Sequence, residues 1–203
     1  MYETLKSIYQ QVQGFGMYII ITSIVIFVVS FISNLVIRKR YNTILDDLLD
    51  WHRKKEAVFR SDILNKIVEE YRTTAKESYS EVNTQAIIEK NFNLHLRGLA
   101  LGERFIKNTN TLLITLGLFG TFVGLTTTVA ELASIFTKMD ISDIIENTGI
   151  QQLLSHLIGS LEGMSVAFVT SLVGVGSSII LTILLTIFSA EEARENLMVQ
   201  IEE

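Results

Sequence analysis

Three stretches of this chain, Met17 to Ile37, Asn108 to Ala130 and Gly163 to Ala190, contain no Asp, Glu, Lys, Arg or His. Each is long and apolar enough to cross a bilayer, which takes about 20 mostly apolar residues. Inside lipid every backbone N–H and C=O must be satisfied within the chain, so one isolated apolar stretch of this length has a single solution, the α-helix. The reading is therefore an all-α membrane protein with three transmembrane helices. Composition agrees: hydrophobic residues make up 48% of the chain and the mean hydropathy is +0.37, both high for a soluble domain. The absence of proline suits long unbroken helices, because proline removes a backbone donor and kinks the helix.

Charge sets the expected orientation. Arg38, Lys39 and Arg40 follow the first span, and basic clusters at a membrane boundary stay in the cytoplasm. The N-terminus then lies outside, residues 38–107 are cytoplasmic, residues 131–162 hold an external loop and the start of the third helix, and 191–203 begin a cytoplasmic tail. The external segment fits, since Asp140, Asp143 and Glu146 outnumber Lys138. The first span is no cleavable signal: its apolar run is long, no small-residue cleavage site follows, and the basic residues are on the wrong side. Residues 1–16 carry Leu5, Ile8, Tyr9 and Val12 at spacings that suit either an interfacial amphipathic helix or an extension of the first span.

Between the first two spans, Phe59, Ile63, Ile67 and Tyr71 recur every four residues among charged ones, and Ile88, Phe92, Leu96 and Leu99 form a second run. These predict an antiparallel helical hairpin with its turn in TTAKESYSEVNTQ, residues 73–85, the alternative being one bent helix. Trp51 beside His52 reads as a packing or anchoring aromatic.

Several function classes are excluded. The chain has no cysteine, so no disulfide, thiol nucleophile or cysteine metal site. His52, His95 and His156 lie far apart without ligand spacing. There is no phosphate-binding G-x-x-x-x-G-K-[ST] loop and no G-x-S-x-G elbow, and a net charge of -5 leaves no basic footprint for nucleic acid. The chain reads as a non-enzyme without a bound metal or cofactor.

What remains are two stripes of small and hydroxyl residues. Gly117, Thr121, Gly124, Thr128 and Glu131 share one face of the second span, and Gly163, Ala167, Ser171, Gly174 and Ser178 share one face of the third. Close helix packing explains such stripes without any further role; a polar pathway explains them too.

LGLFGTFVGL resembles the second-helix motif of the MotA/TolQ/ExbB family, in which a G-T-x-x-G element faces inward; Gly120, Thr121 and Gly124 fill it. The third helix resembles that family's A-x-x-x-[ST]-x-x-G element, with Ala167, Ser171 and Gly174. Within the family, GMSVAFVTSLVG is most similar to the motor subunits of Zorya antiphage systems. MotA itself has four spans, and ExbB-like members carry an acid where Val166 stands here, with Glu162 one turn earlier. The Zorya subunits continue into a long helical tail, of which Ala190 to Glu203 reads as the start, as in a truncated chain.

The resemblance implies a homo-oligomeric ring, a pentamer, in the bacterial inner membrane around a pair of single-pass partners whose intramembrane Asp carries the ion. Chemistry adds a reason for that partner: an acid in a membrane costs about 2.5–3.5 kcal/mol and is kept for function, and the three spans have none. On this reading Thr121 and Ser171, assisted by Thr170, offer donors and acceptors to the partner's carboxylate or to water. The stripe Gly117, Gly120, Gly124, Thr128, Ala167, Gly174 and Ser178 faces the partner, and Glu131 and Glu162 mark an outer entrance or the water interface. Protonation then lets the acid leave its polar position. The family implies H+ as the translocated ion, with Na+ the alternative, and antiphage defence as the output. An ExbB/TolQ-like energiser of an outer-membrane process and a passive structural oligomer are the competing readings.

Overall fold

The computed structural model describes residues 14–54, 58–77, 83–138 and 147–202. The protein is all-helical over these residues: α1 is Phe15–Lys54, α2 Asp62–Glu77, α3 Thr84–His95, α4 Arg97–Lys138, α5 Asn147–Ile187 and α6 Ala190–Glu202. Helices α1, α4 and α5 are each long and apolar enough to cross a membrane. Residues 1–13, with most of the N-terminal amphipathic segment, and Asp140, Asp143 and Glu146 lie outside the described residues.

The helices divide between two compact units. The first contains α1 up to Val28, α4 from Thr109 and α5 up to Leu181. Gly14, just before α1, has a φ of +87°, which suits a residue without Cβ; the Met17 N–H donates to the Gly14 carbonyl at 3.2 Å. Polarity is inverted relative to a water-soluble domain. Ser23, Thr109, Thr128, Thr170 and Ser178 are buried, while Ile21, Val25, Phe122, Val129, Phe168, Leu172 and Ile179 point outward. That inversion is what a lipid-facing bundle needs, because apolar side chains gain nothing from burial when the solvent is hydrocarbon.

The second unit comprises Val29–Asn108 and Thr182–Glu203 and has an ordinary apolar core. Ile37, Tyr41 and Ile44 of α1, Ile63, Leu64 and Ile67 of α2, Ile88 and Phe92 of α3, and Ala193 and Leu197 of α6 meet there. Tyr41 stacks on Phe92 with ring centroids 6.3 Å apart. Their three- and four-residue spacings give each helix one apolar stripe. Asp47 ties the entry to α2 by accepting the N–H groups of Arg60 (3.2 Å) and Ser61 (2.7 Å).

Helix α3 starts at an Asn83 cap, whose side chain accepts the Ala86 N–H at 3.0 Å. Glu70 of α2 accepts from Lys90 (2.5 Å) and Asn91 (2.6 Å) of α3. Residues 78–82, within the expected turn, are not among those described.

Helix α5 stops earlier than hydropathy alone indicates. It ends at Ile187, and α6 begins at Ala190. Ser189 makes the break: its Oγ accepts the Glu192 N–H at 3.0 Å, the first half of an S-x-x-E capping arrangement. The Phe188 carbonyl is taken by Asn34 Nδ2 at 2.6 Å.

Candidate functional site

The two small-residue stripes face each other within one chain. A Cβ built on Gly120 would sit 2.5 Å from Thr170 Oγ1, one on Gly124 would sit 2.6 Å from the Ala167 Cβ, and one on Gly117 would sit 3.2 Å from the Gly174 Cα. Gly174 is tighter still, its Cβ position lying 2.6 Å from the Leu113 carbonyl oxygen. Partners rise in number on α4 as they fall on α5, so the two helices run antiparallel. Gly117, Gly120, Gly124, Ala167 and Gly174 are thus spent on an α4–α5 seam inside the subunit. Backbones approach this closely only where side chains are hydrogen or methyl.

Thr170 lies in the seam beneath Gly120, and its hydroxyl donates to the Ala167 carbonyl at 2.8 Å. Thr128 is buried and donates to the Gly124 carbonyl at 2.9 Å. Such bonds satisfy a hydroxyl in a helix without a neighbour's help.

Thr121 and Ser171 are placed differently. Each follows a seam residue, Gly120 or Thr170, by one step of about 100° around its helix. In an antiparallel pair that step turns both to the same side of the seam, and both are half-buried. Thr121 donates to the carbonyls of Gly117 (3.0 Å) and Leu118 (2.9 Å). Among the described residues the Ser171 hydroxyl makes no hydrogen bond.

Others share that side by helical spacing: Thr128 lies close to two turns beyond Thr121, Ser178 two turns beyond Ser171, and Asn110 three turns before Thr121. Together they form a polar lane along one flank of the pair. Asn110 is the member that stripe-reading misses, because its face is defined only once the seam is known. Its Oδ1 is buried and has no hydrogen-bond partner, an arrangement that costs free energy unless something supplies a donor.

Helix α1 carries a further polar set, Ser23, Ser30 and Asn34, all buried, with the Ser23 and Ser30 hydroxyls unpartnered. Their spacings of seven and four residues were the available signal. Glu131 is exposed on α4, and the side chain of Glu162 lies outside the described set. No group of three His, Asp or Glu side chains able to hold a metal occurs among the described residues.

The chain matches no protein-family model, no curated protein and no solved structure.

Proposed function

We propose that the chain is a ring-forming subunit of an ion-driven rotary motor in a bacterial inner membrane, of the ZorA type within the MotA/TolQ/ExbB family, serving antiphage defence. The observation that carries this reading is the polar lane beside the α4–α5 seam, with Thr121 and Ser171 half-buried on one side in spans that hold no Asp, Glu, Lys, Arg or His. A lane that can solvate a proton but not bind one requires a carboxylate from elsewhere. A pentamer surrounds a pair of single-pass partners that supply it through an intramembrane Asp. The N-terminus lies outside, residues 38–107 and 191–203 lie in the cytoplasm, and Glu131 and Glu162 mark the outer entrance. Protons are the ion, with Na+ the alternative.

The test is native mass spectrometry of the complex extracted intact from its own membrane. A pentamer holding a pair of single-span proteins, each with a membrane Asp, is the expected species; a bare ring, or a ring of another size, sinks the proposal.

One observation favours a plainer reading. The glycines of both motifs are consumed in packing inside the subunit, which is all that a passive structural oligomer asks of them. The two readings part at Thr121 and Ser171, which packing does not need as hydroxyls.

A further inference from the structure

Thr121 uses its hydroxyl hydrogen inside its own helix, on the carbonyls of Gly117 and Leu118. What it presents outward is an oxygen with lone pairs, an acceptor without a donor. Ser171, on the same side, keeps its hydroxyl hydrogen uncommitted among the described residues. The two are neighbours across the seam: the Ser171 backbone lies against Gly117, whose carbonyl takes the Thr121 proton. Asn110 Oδ1, on the same flank, is a second acceptor lacking a donor.

This inventory discriminates between the two forms of a carboxyl group. A neutral acid carries one O–H donor and one carbonyl acceptor, the complement of Thr121 plus Ser171; an ionised carboxylate has acceptors only. The ionised form would set a negative oxygen against the Thr121 lone pairs. No Lys, Arg, His, Asp or Glu in the spans Met17–Ile37, Asn108–Ala130 or Gly163–Ala190 stands by to change that balance.

We infer that the Thr121–Ser171 flank takes a neutral carboxyl group, its O–H donated to Thr121 Oγ1 and its C=O receiving the Ser171 hydroxyl, and rejects the ionised form. The inference rests on the motor reading and reverses the order of events drawn from the sequence: protonation docks the partner's acid, and loss of the proton releases it. The O–H bond formed from water on one side of the membrane is the bond broken to water on the other, so one proton crosses per cycle and the carboxylate is regenerated.

The test uses the full chain in phosphatidylcholine vesicles with a leucine-rich single-span peptide bearing one central Asp, Asn or Leu, binding being read by energy transfer. Asn stands in for the neutral acid at every pH. The Asn peptide is expected to bind about tenfold more tightly than the Leu peptide, the size of two membrane hydrogen bonds, without pH dependence. The Asp peptide matches it in acid and falls to the Leu level in alkali. Thr121→Val removes the advantage of the Asn peptide, and Thr121→Ser, which keeps the oxygen, retains it.

Tighter binding of the Asp peptide in alkali than in acid overturns the inference while leaving a carboxylate partner in place, and an Asn advantage that survives Thr121→Val overturns it as well. If neither Asp nor Asn outbinds Leu at any pH, the carboxyl-bearing partner falls, and the motor reading with it.

Discussion

Asn34 of α1 donates its side-chain amide to the Phe188 carbonyl, 2.6 Å away. That carbonyl is one of those left unpaired where α5 ends, and Asn34 is 2% exposed, so water offers no substitute. The Phe188 ring is also held, edge-on to Phe31 at 6.4 Å and beneath the Arg38 guanidinium at 5.6 Å. Asn34→Leu removes the donor and strands the carbonyl, at a cost of about 1–3 kcal/mol. Faster amide hydrogen exchange across Ala190 to Leu197 is the expected readout; unchanged exchange there would show that the bond contributes little.

Gly174 and Gly176 make a matched pair for the seam. A methyl group on Gly174 meets the Leu113 carbonyl at 2.6 Å, while one on Gly176 meets nothing within 4 Å. Gly174→Ala is expected to destabilise by about 1–3 kcal/mol through overpacking, lowering the melting temperature in detergent. Gly176→Ala should be neutral or slightly stabilising, because alanine is the better helix former. Equal effects of the two would contradict the seam.

Glu70 gives the second unit a pH dependence of defined sign. Hydrogen bonds from Lys90 and Asn91 hold its carboxyl below the ordinary value of 4.5. A group whose folded value is depressed stabilises the fold above its unfolded value, and that contribution drains away as pH falls through the folded value. Acidification below about pH 4.5 should therefore loosen α2 against α3, seen as faster exchange of their amides. Glu70→Gln should flatten that dependence, and a wild-type profile without an acid limb would exclude this role. Lys90 is exposed and Glu70 half-buried, so the effect is modest and shrinks with added salt.

Thr121→Ala combined with Ser171→Ala should leave assembly intact and abolish ion-driven output. Neither hydroxyl fills the seam, so the packing of Gly117, Gly120 and Gly124 is untouched. Proton flux into vesicles at wild-type rate from the assembled double variant would refute the pathway assignment.

Hydropathy located the spans because lipid leaves a chain few ways to cross. Periodicity located the faces, since Gly117, Thr121, Gly124 and Thr128 recur at whole turns. It could not name what each face touches: a stripe of small residues looks the same whether its neighbour is α5 of the same chain or another protein. Separating seam from flank took only the 100° between Gly120 and Thr121, an angle that matters once the facing helix is fixed. Ser23, Ser30 and Asn34 went unnoticed because they are sparse among strongly apolar neighbours. The Ser189 cap was hidden for a related reason, as the S-x-x-E pattern sits at the tail of an apolar run that keeps the hydropathy high to Ala190.

That cap has a mechanical consequence. Because the chain is interrupted at Phe188 and Ser189, the azimuth of α6 about its own axis is set by Ala190, Ala193 and Leu197 in their own core, and not by winding inherited from α5. The joint is nonetheless pinned, since Asn34 holds the Phe188 carbonyl and Phe31 and Arg38 hold its ring, so α6 leaves α5 at a corner anchored on α1.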